Sequence, residues 1–457
     1  MDKVLSHIEK HHDRHLEELK EFLRIPSIST DRERKGDVAR CAEWVAAQMR
    51  GIGLEHVELH PTSGHPIVYG EWLGAKGKPT LLIYGHYDVQ PVDPLNLWQS
   101  GPFEPTIRDG QIYARGSADD KGQVLIHLKA VEAHLKATGS LPVNVKFLIE
   151  GEEEVGSEDL DPFIERHRDL LRADAAVVSD TSMFDRDLPT ITYGLRGLVY
   201  CQIDLEGPNT DLHSGSFGGA VANPAAVLSR LLTQMKDERG KVTIPGFYDD
   251  VVPLSDEERR AFAALPFDEE RYKRELGLQA LAGEEGYSTL ERVWARPTFE
   301  VNGLLSGFTG EGAKTVLPGR AMAKVSMRLV ANQDPDKIAA LFEKQARALC
   351  PSTVSLKVTR MHGGKPSLVP VQHPAVQAAA RGLQKGFGRP PVYIREGGSI
   401  PVVATFSETL RIPTVLVGFG LPDENAHAPN ERFDLSNFRR GIVSIAHMYD
   451  EVSRVRL

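Results

Sequence analysis

Cysteine is scarce in this chain of 457 residues: there are 3, at Cys41, Cys201 and Cys350. They lie far apart, form no Cys-x-x-Cys pair and are odd in number. That excludes a disulfide-stapled scaffold and a thiolate zinc finger. Long apolar runs are also missing, none approaching the ~18–20 residues of a membrane span. The first residues, Met1-Asp2-Lys3-Val4-Leu5-Ser6-His7-Ile8, lack the apolar core of a signal peptide, and no Asn-x-Ser/Thr sequon occurs. These absences predict a cytoplasmic protein whose cysteines are small core residues. Nor is there a cationic excess. The 54 Lys+Arg stand against 63 Asp+Glu, a net charge of -9, so the basic surface that non-specific nucleic-acid binding needs is not there. Neither nucleic acid nor membrane is expected as a partner.

What is present is an ordinary globular balance, 41% apolar and 26% charged. The length fits two or three domains at roughly 150 residues each. Apolar period predicts helices over about Val4–Leu23 and Val38–Met49. Strands and helices then alternate: Thr80–Tyr84, helix Lys121–Leu135, Val143–Ile149, helix Asp161–Leu171, Ala175–Val178. Apolar strands in such alternation predict an α/β domain, a mixed but mostly parallel sheet flanked by helices. From about Thr190 the strands read as longer and more polar. The segments Ala321–Val330 and Thr353–Arg360, with helices at Pro224–Met235 and Pro335–Leu349, predict an inserted α+β domain. The first texture returns with an Ala-rich helix after His373, a strand at Thr414–Val417 and a helix over Ser436–Val452. The expected organisation is a discontinuous main domain, 1–190 plus 369–457, around an insertion at 191–368.

The chemistry sits at strand ends. Gly85-His86-Tyr87-Asp88 follows one strand and Glu150-Gly151-Glu152-Glu153-Glu154 another. Asp180 follows a third, and Ala426-His427-Ala428-Pro429-Asn430-Glu431 comes after a fourth. Gly116-Ser117-Ala118-Asp119-Asp120-Lys121-Gly122 opens a helix. Singly each has a bland reading. Asp119-Asp120 would cap a helix, and Glu152-Glu153-Glu154 would be a solvated acidic run. Jointly they bring acids and imidazoles to the edge where open α/β sheets build sites, and acids gathered there need a counter-cation. Mixed imidazole and carboxylate donors suit zinc, with cobalt or manganese as alternatives. Two His and three carboxylates exceed one tetrahedral open site and suffice for two divalent ions if one carboxylate bridges.

Three long segments carry a resemblance: Tyr84-Gly85-His86-Tyr87-Asp88-Val89-Gln90-Pro91, Arg115-Gly116-Ser117-Ala118-Asp119-Asp120-Lys121-Gly122 and Arg395-Glu396-Gly397-Gly398-Ser399-Ile400-Pro401. The chain resembles, end to end, the M20-type co-catalytic metallopeptidase family, and within it the cytosolic nonspecific dipeptidase and carnosine dipeptidase branch. The resemblance implies that His86, Asp119 and Asp180 hold one ion, and that Asp119, Glu154 and His427 hold the other, with Asp119 bridging. It implies Glu153 as general base for attack by a metal-bound hydroxide, Asp88 as the carboxylate that orients His86, and a cis Asp119–Asp120 bond. In the inserted domain, Asp211-Leu212-His213-Ser214-Gly215 matches the segment whose His reaches the other subunit's active site. His213 would then stabilise the oxyanion, Arg328 would clamp the substrate carboxylate and Ser399 would line the same end. The implied protein is a homodimer, paired through the inserted lid domain, that hydrolyses dipeptides with a free carboxylate. An N-acyl amino acid deacylase or desuccinylase with the same centre is the enzyme alternative. A metal-binding scaffold without catalysis is a third reading, against which the non-ligand Glu153 stands. Lys365-Pro366-Ser367, where related dipeptidases often have Lys-Pro-Trp, leaves substrate preference open.

Overall fold

The computed structural model describes residues 1–398 and 400–457; Ser399 therefore lies outside the described residues. The chain divides into two compact units. The first comprises Met1–Tyr193, Val369–Ile394 and Thr405–Leu457, and the second comprises Gly194–Leu368 with Arg395–Ala404.

In the first unit the strands run in the order Glu55–His60, Ile67–Trp72, Asn144–Glu150, Thr80–His86, Ala175–Val178, Thr414–Leu416, Thr190–Leu195. Thr80–His86 pairs in parallel with both Asn144–Glu150 and Ala175–Val178, and Thr414–Leu416 pairs in parallel with Ala175–Val178. The strands nearer the edges, Ile67–Trp72 and Thr190–Leu195, are antiparallel to their neighbours. Every residue of Asn144–Glu150 is buried. Both faces of the sheet centre are thus covered, which is why these strands are continuous apolar runs rather than alternating ones. The helix Lys121–Thr138 is buried from Lys121 to His134 and ends at Gly139, whose φ of 74° few other residues adopt. It packs against the terminal helix Leu435–Val452. Because the parallel strands point one way, His86, Glu150 and the loop after Val178 all emerge at one edge.

The second unit is an antiparallel sheet in the order Glu300–Ser306, Arg320–Leu329, Gly197–Glu206, Ser355–Gly364. Burial alternates along Gly197–Glu206. Val199, Cys201, Ile203 and Leu205 form a core with Leu228 and Leu231 of the helix Pro224–Thr233 and with Ile338, Phe342 and Ala346 of the helix Pro335–Leu349. One face is packed and the other left open, as alternation requires.

Several expectations shift. The first helix breaks at His11 into Asp2–Lys10 and His12–Leu23. The helix expected over Asp161–Leu171 is only Leu160–Arg166. Thr190–Leu195, read as polar, is buried throughout, because its threonines lie in the first unit's sheet. The strand Glu300–Ser306 gave no signal, since an exposed edge strand needs no apolar alternation. Cys41 and Cys201 are buried, while Cys350 is half-buried. No helix among the described residues is long and apolar enough to cross a membrane.

Candidate metal centre

His86 ends a fully buried stretch of the strand Thr80–His86. Its Nδ1 lies 3.1 Å from the Asp88 carbonyl oxygen and 3.4 Å from Asp88 Oδ1. Donation from Nδ1 leaves Nε2 as the lone pair that a metal needs. Nε2 stands 3.0 Å from Asp119 Oδ1 and 4.0 Å from Asp180 Oδ1. On the other side of Asp119, Oδ2 lies 2.8 Å from His427 Nε2, which is 3.3 Å from Glu154 Oε2. Two donor groups result, His86–Asp119–Asp180 and Asp119–Glu154–His427. They share Asp119 and use its two oxygens separately. Donors spaced ~3–4 Å apart can each sit about 2.0–2.2 Å from a common ion. The donor set thus fits two divalent cations.

Neighbouring side chains hold this geometry. Asp88 is fully buried, and its carboxylate accepts the backbone N–H groups of Glu153 (3.3 Å) and Glu154 (3.1 Å). It therefore fixes the acidic turn as well as His86. Gln90 Nε2 donates to Glu154 Oε2 at 2.7 Å. Glu431, also buried, gathers the bridging loop: Oε2 accepts from Arg115 Nη1 (2.9 Å) and Gly116 N (2.8 Å). Its Oε1 accepts from Ala118 N (2.9 Å) and Asp119 N (3.1 Å). Gln123 ties the same loop to the segment leading to His427, donating to the Ala118 carbonyl and accepting from Phe419 N. The Asp119–Asp120 peptide bond is cis. The roles of Gln90, Gln123 and Glu431 were missed from sequence. Gln90 and Glu431 stand inside segments already singled out, but nothing in a pattern says what a side chain touches.

The ionisation of the metal-free site shows a shortage of positive charge. Burial first, then the Asp180, Glu154 and Asp119 charges, push the Glu153 carboxyl up to about 8 against the pull of His86. Burial and Asp119 push Glu154 to about 7 and Asp180 to about 6. His427 is raised to about 9 by its hydrogen bond to Asp119. His86 rises well above its ordinary value, its bonds to Asp119 and Asp88 outweighing the burial that opposes them. Asp119 stays low because both imidazoles face it, despite burial. Protons on acids and imidazoles here do the neutralising that divalent ions would do, and such ions would displace them.

The remaining predicted residues lie in the second unit. His213 is exposed on a short ribbon, with Leu212–His213 paired to Val316–Leu317. Its Nδ1 accepts from Gly215 N at 3.0 Å, which leaves the ring proton on Nε2. Arg328 is half-buried on Arg320–Leu329. It lines a cavity of about 420 Å³ together with Arg196.

The model of peptidase family M20/M25/M40 matches residues 82–451. The chain belongs to this family. It is thereby a hydrolase of a metal-dependent peptidase family. Among its relatives is the Cys-Gly metallodipeptidase dug1 of Schizosaccharomyces pombe, 33% identical over 470 residues, covering 100% of this chain and 99% of that one. Human Beta-Ala-His dipeptidase is 32% identical over 477 residues, covering 100% of this chain and 93% of the relative. Of the solved structures, an M20 family metallo-carboxypeptidase from Sulfolobus solfataricus, Sso-CP2, has a TM-score of 0.85 at 35% identity, covering 96% of this chain and 99% of that chain. The family's α/β architecture is the one described above.

Proposed function

We propose that this chain is a dipeptidase that hydrolyses the amide bond of dipeptides bearing a free C-terminal carboxylate. The carrying observation is the shared Asp119, whose two oxygens serve two donor groups with Glu153 beside them. His86, Asp119 and Asp180 would hold one divalent ion, and Asp119, Glu154 and His427 would hold the other. Zinc fits the imidazole–carboxylate set, and manganese or cobalt satisfies the same donors. Such ions, when bound, supply Lewis acidity toward a carbonyl oxygen and toward water.

The chain's own groups do the rest. Glu153 is held by its backbone on Asp88, and its carboxylate takes the proton of the attacking water and returns it to the leaving amine. Arg328 binds the substrate carboxylate, for which a planar guanidinium is suited. Ser399 serves the same end. His213 of the partner subunit donates through Nε2 to the developing oxyanion. The dimer is formed by the second unit, which also acts as lid. Among the described residues its edge strand Glu300–Ser306 has a strand neighbour on one side only, with Val301, Leu304 and Leu305 exposed by 47%, 59% and 58%. An unpaired apolar edge is what a second copy covers. The cytoplasm is the expected compartment.

The test is a panel of dipeptides and N-acyl amino acids, with the metal-free protein reloaded with zinc, manganese or cobalt in turn. Dipeptides should be turned over fastest. Faster hydrolysis of acyl or succinyl amino acids would establish the deacylase alternative instead. For the dimer, mixing His213→Ala with Glu153→Gln subunits should restore activity, because one site of each heterodimer keeps both groups. No recovery despite subunit exchange refutes the crossing of His213.

A further inference from the structure

The turn that carries Glu153 is held on two sides. On one, Asp88 accepts the backbone N–H groups of Glu153 and Glu154. On the other stands Glu150, 1% exposed at the end of the strand Asn144–Glu150. It belongs to neither donor group of the metal centre. A carboxylate so deeply buried is costly unless donors meet it. Its Oε1 accepts two hydroxyls, Tyr84 Oη at 2.5 Å and Ser157 Oγ at 2.9 Å. Its backbone carbonyl accepts Tyr87 N at 2.8 Å. Both tyrosines are fixed in their turn. The Tyr84 ring meets Phe406 edge-on with centroids 5.9 Å apart, and Tyr87 Oη donates to the Pro66 carbonyl at 2.6 Å. A Cβ built on Gly151 would lie 2.3 Å from Tyr87 Oη. The chain therefore leaves Glu150 close against that hydroxyl, where only a glycine fits.

Ser157 closes the turn in a conformation that serine seldom adopts. Its φ is 53°, after Gly156 at 100°. Glycine takes such angles without strain, and other residues do so uncommonly. Backbone bonds close the turn around Glu153. Gly156 N donates to the Glu153 carbonyl at 2.9 Å, and Ser157 N donates to the Glu152 carbonyl at 2.8 Å. Neither bond needs a side chain at position 157. What serine adds over glycine is a hydroxyl, and that hydroxyl is bonded to Glu150. A strained residue kept for one contact points to a use for the contact.

We propose that Glu150 is a positioning residue for Glu153, anchoring the far end of its turn through the Ser157 hydroxyl while Tyr84 fixes the carboxylate that does the anchoring. This rests on the reading of Glu153 as general base given above. A base must stand within about 2.6–3.2 Å of the proton it takes. Asp88 alone fixes where the turn begins, and Glu150 fixes where it ends. With both in place the Glu153 carboxylate has one location beside the donor groups.

The test follows dipeptide hydrolysis by the metal-loaded enzyme, separating kcat from KM. Ser157→Gly removes the hydroxyl and relieves the backbone. It should lower kcat about 10–100-fold, the range for a misplaced catalytic group, while both ions stay bound and KM stays within about 3-fold of wild type. Tyr84→Phe should lower kcat in the same way, and it carries the test if Ser157→Gly does not fold. Glu150→Gln still offers an oxygen to both hydroxyls, and should keep most of the rate that Glu150→Leu loses. The deciding measurement adds Ser157→Gly to Glu153→Gln. That turn has no base to position, so the residual rate should fall by less than about 2-fold. Losses that multiply would show that Ser157 supports the fold and not Glu153, and would overturn the proposal. So would a Ser157→Gly enzyme with the kcat of wild type, or one changed in KM alone. Near-normal turnover by Glu153→Gln would instead overturn the reading of Glu153 as the base.

Discussion

Replacing Glu431 by Gln tests how the bridging carboxylate is held. Glu431 touches neither imidazole of the centre, yet its two oxygens accept four donors: Arg115 Nη1 and Gly116 N on one, Ala118 N and Asp119 N on the other. All of this is buried. A glutamine of the same shape presents one oxygen and one NH2 group. Whichever way the amide turns, two donors meet a donor, and the Arg115 charge loses its counter-ion. Breaking a buried pair by removing one partner costs about 3–5 kcal/mol. At roughly 2–4 °C per kcal/mol for a domain of this size class, the metal-free variant should melt at least about 6 °C lower. Asp119 is on the same loop, so both ions should bind more weakly together, by at least about 10-fold, the usual cost of losing a group that orients ligands. Differential scanning calorimetry on the metal-free protein and competition with a chromophoric chelator measure the two effects. A variant that melts within about 1 °C of wild type, or that loses affinity for one ion alone, would refute the account of Glu431 as the anchor of the shared ligand.

Three further outcomes are expected. Glu153→Gln should retain its metal content but lose turnover by at least ~10²-fold; near-normal rates would show the proton acceptor to be another group. Asp180→Asn and Glu154→Gln should each weaken one ion selectively while Asp119→Asn weakens both, as metal stoichiometry at limiting free metal will show; equal effects of all three would argue against two groups sharing one ligand. Burial lowers His127 to about 3. Between about pH 6.5 and 3 the unfolded chain therefore binds the extra proton, and stability falls as pH falls. The loss is about 2 kcal/mol at pH 5, so the melting gap between wild type and His127→Gln should narrow from pH 7 to pH 5; a constant gap would mean that His127 is not held neutral.

The parts of this molecule that sequence revealed share a physical basis. Asn144–Glu150 and Ala175–Val178 are buried on both faces, so burial wrote an unbroken apolar run that can be read. His86, Asp119, Glu154, Asp180 and His427 could be placed near one edge because parallel strands deliver their following loops to the same side. Glu300–Ser306 left no such mark, since neither face of an exposed edge strand imposes a pattern. The four contacts of Glu431 and the Gln123 tie between Ala118 and Phe419 depend on side chains brought together across more than 290 residues of sequence separation. One chain read from end to end has no periodicity that encodes such meetings.

The interrupted path of the first unit has a consequence for synthesis. Its strand Thr414–Leu416 slots between Ala175–Val178 and Thr190–Leu195, and the same late stretch brings His427 and Glu431. A ribosome therefore releases all of the second unit, Gly194–Leu368 with Arg395–Ala404, whose core lies in the first of these segments, before the slot can be filled. Until then the nascent chain carries an open strand edge at Ala175–Val178, where wrong pairing begins. A chain stopped before Thr414 would keep that gap in its sheet and never assemble the shared-ligand centre.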